Sequence, residues 1–420
     1  APWTMAASNN WAISGQRSVS GKPLLANDTH LELTQPPAWW EVHLTCPGID
    51  AAGFAVPGLP GLAVGHNRHT AWGVTNVMAD DVDFYIERID PANPRRYWTG
   101  NRWKTMRSVT ETIQVKDGAA VSLDILLTDR GPIFSGFDNS PDDQTLSVRW
   151  TGREVSQSMS APHRIVQAKN IADIVAALRD WHMPGQNFVF ADTGGNIGYW
   201  CSATIPIRKQ RFGLLPVPGW QDQYAWDGWI SFDQRPHEIN PDRGFVASAN
   251  NRVAGNDYPF HIGNYWEPLD RITRIHQMLG TDRKLSASDF KQMQTDVSSV
   301  LAAELVPLLT SAVTKGTWDD SARQAVSLLA DWDFQMDAKS PAAGLFEVVY
   351  YRLLLNIFED ELDSELLEDY LKTVVYPPRA LRRIIRKGES AWIDDIRTES
   401  VETLDDIVAR SLRQALTELH

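Results

Sequence analysis

A chain of 420 residues with 43% apolar and 22% charged side chains has ordinary globular composition and enough length for two or three domains' worth of core. Its formal charge of −13, from 40 basic and 53 acidic residues with no long basic run, argues against nucleic acid as a partner, because phosphate binding needs a concentrated positive patch. No apolar run approaches a bilayer span, and no basic segment followed by an apolar one opens the sequence, so no membrane span and no signal peptide are expected within it.

In chain order, residues 8 to about 150 carry short alternating runs punctuated by glycine and proline, as in Pro57-Gly-Leu-Pro-Gly61, and read as β-rich. Within Glu41–Cys46 the period of two puts Val42, Leu44 and Cys46 on one face. The period then lengthens: Ile171, Ile174, Val175, Leu178 and Trp181 predict an amphipathic helix in 162–181, ended by Pro184-Gly185. NFVFADTGGNIGYW (187–200) reads as a hairpin around a glycine turn. From about 270 to 420 the pattern is helical, with Val401, Leu404, Val408, Leu412 and Leu416 on one stripe and Pro377-Pro378 as a break. Strands followed by helices predict an α+β fold.

Trp11, Trp40, Trp72 and Trp200, among 17 tryptophans, sit in alternating apolar contexts, which favours a core role over carbohydrate binding. Cys46 and Cys201 lack metal-ligand spacing and read as two buried small residues, with a single disulfide as the alternative. Motifs for a nucleophile elbow, a zincin, a phosphate loop and a dinucleotide site are absent, and Ser288–Lys291 matches SxxK without its companion motifs. Three polar clusters remain. Ser8-Asn9-Asn10-Trp11, ahead of an apparent strand, is by local pattern a turn. Asn27-Asp28-Thr29-His30 follows an apolar run and reads as a surface turn. Asp80-Asp81-Val82-Asp83 offers carboxylates around a carbonyl, which suits a hard cation such as Ca²⁺, against a solvated acidic turn.

Taken together and in this order, the clusters resemble the β-chain start of the penicillin acylase family of N-terminal nucleophile hydrolases. The resemblance runs through SNNWAISGQRSVSGKPLLANDTHLEL (8–33) and the stretch from Trp39 to Glu87. NFVFADTGGNIGYW, LLPVPGW, VASANNRV and LDRITRI continue it to Arg271, and it extends more diffusely to the end. It implies an αββα sandwich of antiparallel sheets with a mostly helical extension. Residues 1–7 would be a precursor or spacer remnant, 8–270 the hydrolase core, and 271–420 a helical region of the same β chain.

The resemblance also implies roles. Ser8 would be the nucleophile, freed by autoproteolysis, with its own α-amine as base; that amine has an ordinary pKa of about 7.7–8.0, close to what a general base needs. Asn76, through its backbone N–H, and Asn250, through its side-chain amide, would donate to the oxyanion, with Arg271 orienting Asn250 and His30 assisting near the amine. Leu31, Val64, Val74 and Gln186 would line an acyl pocket. Asp80, the Val82 carbonyl and Asp83 would hold a structural Ca²⁺, although Ile262 stands where a further aspartate ligand is expected. No organic cofactor is implied.

The expected activity is therefore hydrolysis of an amide between an acyl group and an amine nucleus, with β-lactam side chains and N-acyl-homoserine lactones as candidate substrates. An upstream α chain is the expected partner, strands are expected beyond residue 420, and the expected location is periplasmic or extracellular, through a signal upstream. Two rivals make different demands. A non-catalytic secreted binding protein would keep the fold and leave Ser8 uncut. A serine hydrolase with a conventional base, His30 or His66, would act uncut.

Overall fold

The computed structural model describes residues 7–135, 144–210, 213–313, 318–373 and 375–419. The chain forms two compact units. One holds residues 37–246 and 252–266, the other 1–36, 247–251 and 267–420. A boundary at 270 follows the change from strand to helix periodicity. The units follow packing instead, so the first strands fall with the C-terminal helices that lie on them.

Among the described residues, the first of these units is built on a seven-stranded antiparallel sheet. Its order is His237–Ile239, Ile197–Ser202, Gln186–Asp192, Thr70–Asn76, Val64–Asn67, Ile49–Ala55 and Trp40–Cys46. The expected hairpin is its centre, with Phe188 opposite Trp200 and both strands buried throughout. Asp192 closes the turn by accepting from the Asn196 N–H at 3.1 Å. Its other oxygen accepts from the Ile171 N–H at 3.1 Å, tying the turn to a helix start.

Two helices cover this sheet, α1 (Ala161–Ile165) and α2 (Ile171–Leu178), in place of the single helix expected over 162–181. Asn170 caps α2 by accepting from the Asp173 N–H at 3.0 Å, which explains why the chain restarts there. Ile165, Ile174 and Leu178 pack on Trp72, Phe188, Phe190 and Trp200. Burying each such side chain contributes about 1.5–3 kcal/mol. Gly53 faces Gly65 across two strands, and a Cβ on Gly53 would lie 2.2 Å from the Val64 carbonyl oxygen.

Trp40–Cys46 is the outermost strand of the sheet, and Trp40, Leu44 and Cys46 are exposed. This corrects the expectation of a core role for Trp40 and of a buried Cys46. An alternating run shows which residues share a face but not whether anything lies on that face. Trp11, Trp72, Trp200 and Cys201 are buried as expected, and both cysteines are free thiols. Burial pushes the Cys201 thiol up to about 12.

The second unit starts with the antiparallel pair Ala7–Ile13 and Leu24–His30, in which Ala7 faces His30, Ser8 faces Thr29 and Asn9 faces Asp28. The strand Phe245–Ser248 borders Ala7–Ile13 on its other side. Helices α3 (Asp270–Leu279) and α4 (Ala287–Gln294) pack on these strands, with Trp11 against Phe290. Each unit thus holds a sheet with helices packed on it.

The remaining helices are α5 (Val300–Val313), α6 (Asp320–Ala330), α7 (Pro341–Phe358), α8 (Ser364–Lys372), α9 (Tyr376–Lys387) and α10 (Leu404–Leu419). They surround the buried Phe346, Val349, Leu353 and Ile357 of α7. Val408 and Leu412 of the expected stripe are buried, but Val401 precedes α10 and is exposed. Pro377 and Pro378 open α9 rather than merely interrupting a helix, because proline suits the first turn, where its missing N–H has no intrahelical partner. No helix among the described residues is long and apolar enough to cross a membrane.

After α7, burial and the neighbouring Asp360 raise the Glu361 carboxyl from 4.5 to about 7. The folded state therefore holds this proton more tightly than the unfolded chain, and stability falls as pH rises from about 4.5 through about 7. Glu361→Gln is expected to raise Tm, with little gain near about pH 5 and the full gain by about pH 8, as thermal unfolding at both values would show.

Candidate active site

Ser8 is the second residue of its strand and is buried. Its N–H donates to Asn250 Oδ1 at 2.7 Å, and its Oγ donates to the Ala7 carbonyl oxygen at 2.5 Å. Asn250 lies just past the strand Phe245–Ser248 in a left-handed conformation, φ 60°, which asparagine tolerates better than most residues. The same Oδ1 accepts from Arg271 Nη2 at 3.2 Å. Two donors on one oxygen fix which way the amide points, so the Nδ2 group is directed away from both.

Arg271 lies in the first turn of α3. Its Nη1 donates to the Ser8 carbonyl and to Asn9 Oδ1, both at 2.7 Å. One planar guanidinium thus gathers residues 8, 9 and 250, a task for which a lysine point charge is poorly shaped. Glu267 stands 3.7 Å from Arg271 and is nearly fully buried. Burial raises the Glu267 carboxyl, and the Arg271 charge opposes that rise. Sequence reading missed Glu267, although its i,i+4 spacing ahead of Arg271 was a usable signal.

His30 pairs with Asp28, Nε2 to Oδ2 at 3.0 Å, and this hydrogen bond holds the Asp28 carboxyl below its ordinary value. Strand alternation puts Asn9, Asp28 and His30 on the face toward α3, where a cavity of about 300 Å³ lies, and Ser8 on the opposite face. Leu31, just past that strand, is exposed. The structure therefore brings Ser8, Asn250 and Arg271 into direct contact and gives His30 a carboxylate partner.

Asn76 belongs to the other unit, at the end of the strand Thr70–Asn76. Its carbonyl accepts from Asn187 Nδ2 at 3.1 Å, and Asn187 Oδ1 accepts from the Tyr199 hydroxyl at 2.7 Å. Gln186 Nε2 donates to Asn76 Oδ1 at 2.7 Å, so this amide is tied to the backbone position implied as an oxyanion donor. Val64 and Val74 are packed in the core of α1, α2 and the sheet. His66 is exposed on the same sheet.

Two carboxylates of the acidic cluster of this unit, Asp80 and Asp83, are engaged by protein donors. Arg208 donates to both oxygens of Asp83, Nε to Oδ2 at 2.8 Å and Nη2 to Oδ1 at 3.0 Å, and Trp226 Nε1 donates to Oδ2 as well. Asp80 pairs with His261 and accepts from Asn264 at 3.3 Å. Among the described residues, no group of three or more His, Cys, Asp or Glu side chains is arranged to hold a metal ion. These residues do not fit a calcium ion.

With this geometry in view, the family model for penicillin amidase matches residues 2–420. The chain belongs to the penicillin amidase family. It is 31% identical to the acyl-homoserine lactone acylase QuiP of Pseudomonas aeruginosa, over 98% of this chain and 52% of that protein. It is 32% identical to the penicillin acylase 2 proenzyme of Pseudomonas sp. strain SE83, over 81% of this chain and 43% of that one. The chain thus spans about half the length of the curated relatives it matches. The structure resembles the thermostable penicillin G acylase of Alcaligenes faecalis with a TM-score of 0.82 at 24% identity, covering 98% of this chain and 78% of that one. The penicillin amidase membership is the one expected from the resemblance, and the α+β fold the one expected from strands followed by helices.

Proposed function

We propose that this chain is part of an amide hydrolase whose Ala7–Ser8 bond is cut to free Ser8 as an N-terminal nucleophile. The observation that carries the reading is the position of the Ser8 hydroxyl, 2.5 Å from the Ala7 carbonyl oxygen, while the Ser8 N–H is held by Asn250. The hydroxyl donates to the oxygen of the carbonyl whose carbon it would attack. Oγ adds to the Ala7 carbonyl carbon, the Ala7–Ser8 C–N bond breaks as that nitrogen takes a proton, and water hydrolyses the resulting ester.

The released amine then takes the Oγ proton as Ser8 attacks the substrate amide carbon. The proton passes to the leaving amine, an acyl-ester forms on Ser8, and water releases the acid. Asn250 Nδ2 is a donor for the oxyanion, a role that the family resemblance also gives to the Asn76 N–H. An α chain from the same precursor, and export to the periplasm or beyond, belong to the same reading. The relatives' names support an N-acyl amide as substrate. N-acyl-homoserine lactone is the second reading, favoured by the match to QuiP along 98% of the chain.

The test is intact mass and N-terminal sequencing of protein expressed from its complete gene, followed by amine release from penicillin G and a series of N-acyl-homoserine lactones. A chain beginning Ser-Asn-Asn-Trp that releases amine from one class is the expected result. Turnover by chain proven uncut would overturn the mechanism. An uncut chain without turnover would favour the binding protein.

A further inference from the structure

The Asp80–Asp83 segment has the sequence pattern of a divalent cation site, yet the Asp83 carboxylate and the Asp80 carbonyl already serve a cation of the chain's own. Arg208 and Asp83 form a two-pronged pair with side chains only 3% and 6% exposed. The same Arg208 Nη2 donates to the Asp80 carbonyl oxygen at 2.8 Å. One guanidinium therefore takes both a carboxylate and a main-chain carbonyl. We propose that Arg208 does in this protein what the calcium ion implied by the family resemblance would do, and that the Asp80–Asp83 segment binds no divalent cation.

Three further observations agree. A calcium ion takes six to eight oxygens, but the Asp80 carboxylate is turned to His261 and Asn264. At Ile262, where a further carboxylate is expected, the chain offers an apolar side chain, while its carbonyl accepts from the Asp80 N–H at 2.7 Å. Gly213 then leaves the space the pair needs, since a Cβ there would lie 2.6 Å from Asp83 Oδ1 and 2.8 Å from Arg208 Nε. Admitting a calcium ion would strip the carboxylate from a buried guanidinium, which is strongly unfavourable.

The test uses protein expressed from its complete gene and dialysed against a chelating resin, with calcium by mass spectrometry and Tm by calorimetry. The expected result is calcium far below one per molecule, and a Tm that moves less than about 1 °C on adding EDTA or calcium chloride, because a ligand bound only by the folded state would raise it. One calcium ion per molecule surviving dialysis, or a Tm that falls several degrees in EDTA, would overturn the proposal. Arg208→Gln, in the absence of metal, is expected to lower Tm; an unchanged Tm would also overturn it. The wild-type measurement decides the matter even where the variant fails to fold.

Discussion

Ser8→Ala leaves the Ala7–Ser8 bond intact and lowers kcat by more than about four orders of magnitude, because the remaining site groups cannot act without their nucleophile. Under the proposed mechanism one hydroxyl attacks twice, first at the Ala7 carbonyl carbon and later at the substrate. Losing it blocks release of the base as well as formation of the acyl-ester. Intact mass and initial rates on the same preparation read both effects. The Ser8 peptide N–H and its bond to Asn250 do not depend on the hydroxyl, so the fold is expected to survive and Tm to stay close to that of the wild-type precursor. Residual turnover of wild-type size in the uncut variant would show that Ser8 is not the nucleophile.

Asn250→Ala lowers kcat by about 10²–10³, or about 2.7–4 kcal/mol of barrier, with the smaller effect on KM, as loss of one oxyanion donor does. Alanine also inherits the left-handed backbone at φ 60°, a strain of roughly 1–2 kcal/mol. Asn250→Gly removes the amide without that strain. The two variants should share the kcat loss and differ in Tm, glycine the higher. Asn250→Asp separates the two ends of the amide. It keeps an oxygen for Arg271 and the Ser8 nitrogen but loses the Nδ2 donor and places negative charge where the oxyanion forms. It should process better than it turns over. A kcat within about threefold of wild type for all three would remove Asn250 from the oxyanion role.

The parts of this molecule that were legible in its sequence are local. Ser8-Asn9-Asn10-Trp11 and VASANNRV carry their own context, and the hairpin at 187–200 announces itself by alternation around a glycine turn. The contact among Ser8, Asn250 and Arg271 was reachable only because the family resemblance linked them, since nothing local joins residues 242 positions apart. The direction of a face was not legible. Val64 and Val74 alternate correctly, but only packing shows that they look onto α1 and α2. Trp40 and Cys46 lie on an outermost strand that no pattern marks as outermost. Arg208 was invisible for the same reason, as its partner Asp83 lies 125 positions away with no spacing rule between them.

That long reach sets a clock. Arg271 grips the Ser8 carbonyl from 263 positions downstream, and Asn250 holds the Ser8 nitrogen from 242. At a synthesis rate of about 5–20 residues per second, roughly 13–50 s separate the making of Ser8 from the making of the arginine that aligns it. Throughout that interval the Ala7–Ser8 bond sits in a chain that lacks the groups to cut it. Under the proposed cleavage, scission is an event of the folded protein and not of the nascent chain. A freed Ser8 then certifies that the α3 end of its unit has already been built.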